Sequence, residues 1–168
     1  IAPVYIHAMT IDTLPSNCDE PVTALAFDYG TQRIGVAFGQ SVSSTAKAVT
    51  ILKAKDGVPD WDQIQKLIDE WKPGLLVVGL PYNLDGTESK LLTQAIKFAR
   101  RLNGRFNLPS FGIDERLSSK AAIEKVVKDS HGNKNQTAID DIAAQIILEN
   151  WFLEFNMKIQ SQSQLGQP

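Results

Sequence analysis

Acidic side chains lie at the ends of several predicted strands and at the start of the last predicted helix. These carboxylates are, in chain order, Asp28, Asp85, Asp114, Glu115, Asp140 and Asp141. Carboxylates that meet in a fold repel one another unless cations neutralise them. Hard divalent cations prefer carboxylate oxygens, and two of them about 4 Å apart can activate water and stabilise the leaving oxygen of a phosphodiester. The residue set therefore predicts a site for Mg²⁺ or Mn²⁺, with two ions.

The elements that would bring these residues together form an α/β pattern. Strands are predicted at 23–28, 33–39, 48–52, 75–80 and 110–113, and helices at 61–71, around 92–102, at 118–128 and at 137–155. Right-handed crossovers place the later strands on the other side of the first strand, which becomes central. We predict a mixed five-stranded sheet, with three antiparallel hairpin strands, then parallel strands, and helices on both faces. Ligands bind at the carboxyl end of such a central strand.

Each acidic residue also has a purely structural interpretation. Four of these stay open: an Asx turn at Asp28, a plain turn at Asp85-Gly86, a surface ion pair within Asp114-Glu115-Arg116, and helix-start roles for Asp140 and Asp141. The structural interpretations do not require the carboxylates to meet. Their predicted convergence at one edge of the sheet favours a functional site.

Composition narrows the chemistry further. His7 and His131 are far apart in the sequence and Cys18 is the single cysteine, which argues against zinc and thiol chemistry. The net charge is −2, yet residues 94–134 carry nine Lys or Arg and four Asp or Glu. A basic segment on an acidic protein can be a phosphate-binding surface or a solvated helical face, and charge alone leaves both interpretations open. The residues predicted to contact nucleic acid are Arg33, Arg100, Arg101, Arg105, Lys125, Lys128 and Lys134.

The ends of the chain differ from its middle. We expect a flexible N-terminal extension over 1–22, a domain over 23–155, and a disordered Gln- and Ser-rich tail over 156–168. The longest apolar run, at 75–80, is too short to cross a bilayer, and no signal peptide is recognisable. A single cysteine fits a reducing compartment. These features predict a cytoplasmic protein with no membrane partner.

Several segments, in this order and at these spacings, resemble the YqgF/RuvX family of the RNase H-like superfamily. They are AFDYGT at 26–31, RIGVA at 33–37, VGLPYNLDGT at 78–87, DERLS at 114–118, IDDIAA at 139–144 and IILE at 146–149. Members of this family are described as Holliday-junction-resolvase-like proteins and as pre-16S rRNA nucleases. The resemblance covers about Thr23 to Phe155, nearly the whole predicted domain.

The resemblance implies specific roles. Asp28, Glu115 and Asp140 would be the catalytic metal ligands, with Asp28 bridging two ions and the other two holding one each. Asp141 ranks behind Asp140 because family members vary at its position. The remaining auxiliary residues of the implied site, with less settled roles, are Asn83, Asp85, Asp114 and Arg116.

Four functions compete, two of which share the same chemistry. Within the same chemistry, the substrate could be precursor 16S rRNA, acted on in pre-ribosomal particles, or a four-way DNA junction. Junction resolution needs two symmetric sites, and no dimer surface is obvious, so we favour RNA and a monomer or weak homodimer. A non-catalytic regulator of transcription would be expected to lack the carboxylates. An actin-like ATPase would need a second domain and a second phosphate loop.

Overall fold

A computed structural model of the chain describes residues 11–17, 20–117 and 136–165, and omits the side chains of Leu117, 136–141 and 163–165. Six strands form one sheet in the order β4-β3-β2-β1-β5-β6. The strands are β1 Thr23–Asp28, β2 Arg33–Gln40, β3 Thr45–Lys55, β4 Val58–Pro59, β5 Leu75–Leu80 and β6 Ser110–Asp114. β1 lies at the centre of this order, as the sequence predicted.

The sheet is mixed. β1, β2 and β3 are antiparallel neighbours, whereas β1, β5 and β6 run parallel. All six residues of β5 are buried, as expected for a parallel strand that is covered on both faces. The predicted mixed α/β sheet is confirmed.

The predicted number of five strands is wrong, because β3 is followed by a two-residue strand. Asp56 and Gly57 have φ values of 52° and 83°. An Asp-Gly pair with positive φ at both residues is a favoured two-residue hairpin turn. The chain therefore reverses directly, and β4 pairs with the end of β3.

Three helices and one short turn complete the described fold. They are α1 Trp61–Trp71, α2 Lys90–Phe106, a 3-10 turn Glu115–Leu117 and α3 Gln136–Leu165. The side chain of Asp60 accepts a hydrogen bond from the backbone at the start of α1, and that of Ser89 does so for α2. Both helices end at a residue in the left-handed conformation. The predicted helix at 118–128 lies outside the described residues.

The helices cover both faces of the sheet, as predicted. On one face, Leu25, Phe27 and Val78 pack with side chains from α1 and α2. On the other, Ala26 and Val77 pack with α3. We call these the α1/α2 face and the α3 face. None of the helices in the described part of the chain is long and apolar enough to cross a membrane.

The chain ends differ from the predicted boundaries. α3 continues ten residues past Phe155, and Asn156 donates hydrogen bonds to the carbonyl of Ser41 and the hydroxyl of Ser44. The expected disordered tail therefore does not begin at residue 156, because its first residues join the packed helix. Within the expected flexible extension, residues 11–17 lie against β6 and α3. The Trp151 indole donates to the Thr13 carbonyl over 2.7 Å.

Candidate active site

Asp28 is the last residue of the central strand. The alternation of side chains along a strand shows on which face of the sheet it lies. Phe27 belongs to the core of the α1/α2 face. Because successive strand residues point to opposite faces, Asp28 lies on the α3 face. Phe27 pairs with Val78 on β5, so the next residues along these parallel strands, Asp28 and Gly79, are neighbours. Asp28 pairs on its other side with Gly35 of β2.

Glu115 reaches the same place from β6. It begins the 3-10 turn directly after this strand, and its Oε1 atom is buried. A Cβ atom added to Gly79 would lie 2.9 Å from Cγ of Glu115 and still closer to its Oε1. The Glu115 side chain therefore occupies the space that the side chain of any residue other than glycine would fill at position 79. The structure brings the Glu115 carboxylate to the β5 residue beside Asp28.

α3 covers this place from above the sheet. The same added Cβ would lie 2.6 Å from Cδ1 of Ile147, which belongs to the core of the α3 face. The α3 backbone includes Asp140 and Asp141, whose side chains are outside the described part. Among the described side chains, which leave out 1–10, 18–19, 117–141 and 163–168, no group of three or more His, Cys, Asp and Glu could hold a metal ion.

The loop after β5 contains Asn83, Asp85 and Gly86. The Asp85 carboxylate accepts hydrogen bonds from the backbone N–H of Thr87 over 2.9 Å and from its hydroxyl over 2.6 Å. These hydrogen bonds, with the nearby Arg116 charge, hold the pKa of Asp85 below its usual value. The Asn83 amide also donates to the Thr87 hydroxyl, at 2.9 Å. For Asp85 the turn interpretation is confirmed.

Arg116 links this loop to the turn after β6. Its guanidinium makes a forked contact with the Asp114 carboxylate, with Nε 2.9 Å and a terminal nitrogen 2.5 Å from Oδ2. The same guanidinium lies 5.3 Å from the ring centre of Tyr82 and 3.2 Å from where a Cβ of Gly86 would be. Partial burial would raise the pKa of Asp114, but the hydrogen bonds and charge of Arg116 outweigh it and leave this pKa lowered. The interpretation of a surface ion pair within Asp114-Glu115-Arg116 is therefore confirmed, and Asp114 is the carboxylate that pairs with Arg116.

The predicted site residues thus fall into separate groups. Asp28 and Glu115 share the α3 face, and the auxiliary residues Asn83, Asp85, Asp114 and Arg116 belong to adjoining loops at the same edge of the sheet. Arg100, Arg101 and Arg105 belong to α2, the helix that packs on the opposite face from Asp28. The Arg105 guanidinium lies 4.4 Å from the ring centre of Trp61. Lys125, Lys128 and Lys134 lie outside the described residues.

Sequence reasoning missed Gly79, Lys53 and Lys55 as possible contributors to the site. The signal for Gly79 was present, because a glycine inside a continuous apolar strand often marks a close approach of another group. The two lysines could not be found in this way, because the predicted third strand ended at residue 52. In the structure β3 continues to Lys55 and brings both to the edge of the sheet where β1 ends.

Comparison with known proteins identifies relatives that match most of the chain. The family model described as "RuvX: Holliday junction resolvase" matches residues 22–154. A protein of Pseudomonas paraeruginosa named "Putative pre-16S rRNA nuclease" is 48% identical over 138 residues, which cover 81% of this chain and 96% of that protein. A Haemophilus ducreyi protein of the same name is 50% identical over 131 residues, 77% of this chain and 95% of that protein.

Solved structures with this fold are more distant in sequence. T. thermophilus RuvC in complex with a Holliday junction substrate matches 80% of this chain and 96% of its own, with a TM-score of 0.50 and 10% identity. A second structure of Thermus thermophilus RuvC gives the same TM-score at 12% identity, over 82% of this chain and 97% of its own. This likeness concerns the fold, and it confirms the predicted RNase H-like class. The family match and the identity to relatives over nearly their whole length show that the chain belongs to the RuvX family of Holliday junction resolvases.

Proposed function

We propose that this chain is a metal-dependent endonuclease that cuts phosphodiester bonds in RNA, and that its substrate is precursor 16S rRNA. The observation that carries the proposal is the position of the Glu115 carboxylate. It lies over Gly79, the β5 residue that neighbours Asp28. Two carboxylates from distant parts of the sequence thus approach one point on the sheet. The names of the relatives support the choice of RNA over branched DNA.

The donor set fits a hard divalent cation. Asp28 and Glu115 offer carboxylate oxygens, which suit Mg²⁺ or Mn²⁺ better than softer metals. Position 140 precedes Ala144 by four residues and Ile147 by seven, so helical periodicity puts it in the same row as these two buried residues. We therefore assign Asp140 as the third ligand, with Asp141 as the second choice. Bound Mg²⁺ or Mn²⁺ would neutralise the carboxylates and lower the pKa of water at the site.

The chain's own residues explain why the site can be open to a phosphate. Asp28 has glycines as neighbours on both adjoining strands, Gly35 on β2 and Gly79 on β5. Gly35 adds no side chain beside Asp28, and the space over Gly79 holds the Glu115 side chain. Asp28 can therefore act as the central ligand, while Glu115 approaches it from one side.

The test is cleavage of purified substrates with and without Mn²⁺. The wild-type protein should cut precursor 16S rRNA only with the metal. Asp28→Asn, Glu115→Gln and Asp140→Asn should each lower the cleavage rate at least about 100-fold, the scale seen when electrostatic stabilisation of a transition state is removed. Asp69→Asn, an exposed position on α1, is the control and should keep full activity. Binding of Mn²⁺, measured by calorimetry, should weaken in the first three variants alone.

The outcomes separate the competing functions. Full activity in Asp28→Asn would exclude the assigned site. Cleavage of a synthetic four-way DNA junction, with precursor rRNA left intact, would move the substrate to branched DNA while keeping the site. RNA binding without cleavage of either substrate, under any metal, would leave a non-catalytic binding module.

A further inference from the structure

Three exposed basic residues lie at the edge of the sheet where Asp28 ends β1. They are Arg33 at the start of β2, and Lys53 and Lys55 at the end of β3. Arg33 pairs directly with Lys53 across the two antiparallel strands. Asp28 pairs with Gly35, two residues along β2 from Arg33. We call Arg33, Lys53 and Lys55 the basic row.

The basic row lies on the same face of the sheet as the carboxylates. Ile34 and Leu52 belong to the core of the α1/α2 face and pair with each other. Their neighbours Arg33 and Lys53 therefore lie on the α3 face, and Lys55, two residues further, does so too. Asp28 and Glu115 occupy this face. From the spacings of a sheet, the Cα atom of Arg33 is about 8 Å from that of Asp28, and that of Lys53 about 12 Å.

α2 carries its exposed basic residues on the opposite side of the sheet, so a strand bound along α2 would have to pass around the sheet edge to reach Asp28. Among the helix and strand residues whose side chains the structure describes, the basic row therefore offers cations on the same face of the sheet as Asp28.

We propose that the basic row binds the phosphate backbone of the RNA next to the bond that is cut. This inference rests on the proposed function, and it replaces the arginines of α2 as the main phosphate contacts. Lys and Arg side chains are long enough to bridge from the row to a strand lying over Asp28. The contacts are with phosphates and carry no sequence preference.

Binding of RNA as a function of salt tests the proposal. The probe is a short fluorescein-labelled single-stranded RNA, titrated in EDTA so that binding is measured without cleavage. Lys53→Gln/Lys55→Gln should make the slope of log Kd against log salt shallower by about 1.4, since each phosphate contact on a single strand contributes about 0.7. A tenfold rise in salt would then weaken binding about 25-fold less than in the wild-type protein.

Lys97→Gln/Arg101→Gln is the matched control, because it removes the same charge from exposed positions of α2. The proposal expects its slope to equal that of the wild-type protein. An unchanged slope in the β3 variant with a shallower slope in the α2 variant would overturn the proposal. Equal changes in both would also overturn it, since net charge alone would then explain binding. All variants should keep the wild-type thermal midpoint.

Failure of the proposed function gives a different result. If the basic row binds RNA as expected, but neither the wild-type protein nor Asp28→Asn cuts RNA with Mn²⁺, the phosphate contacts stand and the nuclease proposal fails. If the wild-type protein cuts RNA and the salt slope of Lys53→Gln/Lys55→Gln equals that of the wild-type protein, the nuclease proposal stands and the basic row is excluded.

Discussion

Gly79→Ala should damage the site while leaving the rest of the fold in place. The added methyl group would lie 2.9 Å from Cγ of Glu115 and 2.6 Å from Cδ1 of Ile147. Carbon atoms make their best contacts at about 3.5–4.0 Å, so each neighbour must move by about 1 Å. Both neighbours are side-chain atoms that can rotate away. The expected cost in unfolding free energy is that of modest overpacking, about 1–3 kcal/mol.

The effect on cleavage should be larger than the effect on stability. A catalytic group that is misplaced by about 1 Å can lower a rate about 100-fold. We therefore expect kcat/KM for RNA cleavage with Mn²⁺ to fall by about this factor, together with weaker Mn²⁺ binding in calorimetry. Gly104→Ala is the control, because its added methyl group would have no atom within 4 Å apart from its chain neighbours and the backbone of its own helix, and alanine favours the helix.

A double variant separates the two contacts. Gly79→Ala/Ile147→Ala removes the contact with Ile147 but keeps the one with Glu115. Its cleavage rate should remain as low as that of Gly79→Ala. Recovery of cleavage in the double variant would show that pressure on α3, and not displacement of Glu115, caused the loss. Full cleavage by Gly79→Ala itself would refute the assigned position of the Glu115 carboxylate.

Three further changes test other contacts. Asp114→Asn should lower unfolding free energy by up to about 1 kcal/mol at pH 7, since the ion pair is partly exposed. Because the folded-state pKa of Asp114 is lowered, thermal midpoints of this variant and the wild-type protein should converge as pH falls below about 4, the ordinary aspartate value. Tyr29→Phe should cost about 1–3 kcal/mol in urea unfolding, because the buried phenol donates to the Gly57 carbonyl over 3.0 Å; an unchanged midpoint would contradict this. Trp151→Phe removes the hydrogen bond to Thr13, so limited proteolysis within 11–17 should become faster, and an unchanged cleavage rate there would refute the tether.

The sequence was most informative for features that depend only on hydrophobic periodicity and on the direction of the chain. The apolar run at 75–80 and the helical spacing after Asp60 predicted a buried parallel strand and an amphipathic helix, and both are present. The position of Asp28 at the end of the central strand followed from the handedness of crossovers. These features depend on local patterns and on rules common to all α/β folds, so no tertiary detail was needed.

Other features depend on packing that the sequence pattern does not reveal. β3 extends to Lys55 although its outer residues are exposed, because pairing with β2 and the Asp56-Gly57 turn continue it. The helix continues past Phe155 because Ile159 and Asn156 find partners elsewhere in the fold. The charge of residues 94–134 suggested a phosphate surface, but charge along the sequence cannot say which face of the sheet a helix will cover.

The auxiliary residues Asp114 and Arg116 have a structural role in the turn that carries Glu115. Asp114 binds the backbone N–H of Arg116 at 2.9 Å and also its guanidinium, so the turn after β6 is closed around one carboxylate. Arg116 in turn lies against Tyr82 and Gly86 of the loop after β5. Glu115 lies between Asp114 and Arg116 in the sequence, so the contacts of both neighbours restrict its direction. The ion pair of Asp114 and Arg116 thus closes the turn that carries Glu115, whose carboxylate lies over Gly79, and Arg116 connects this turn to the loop after β5.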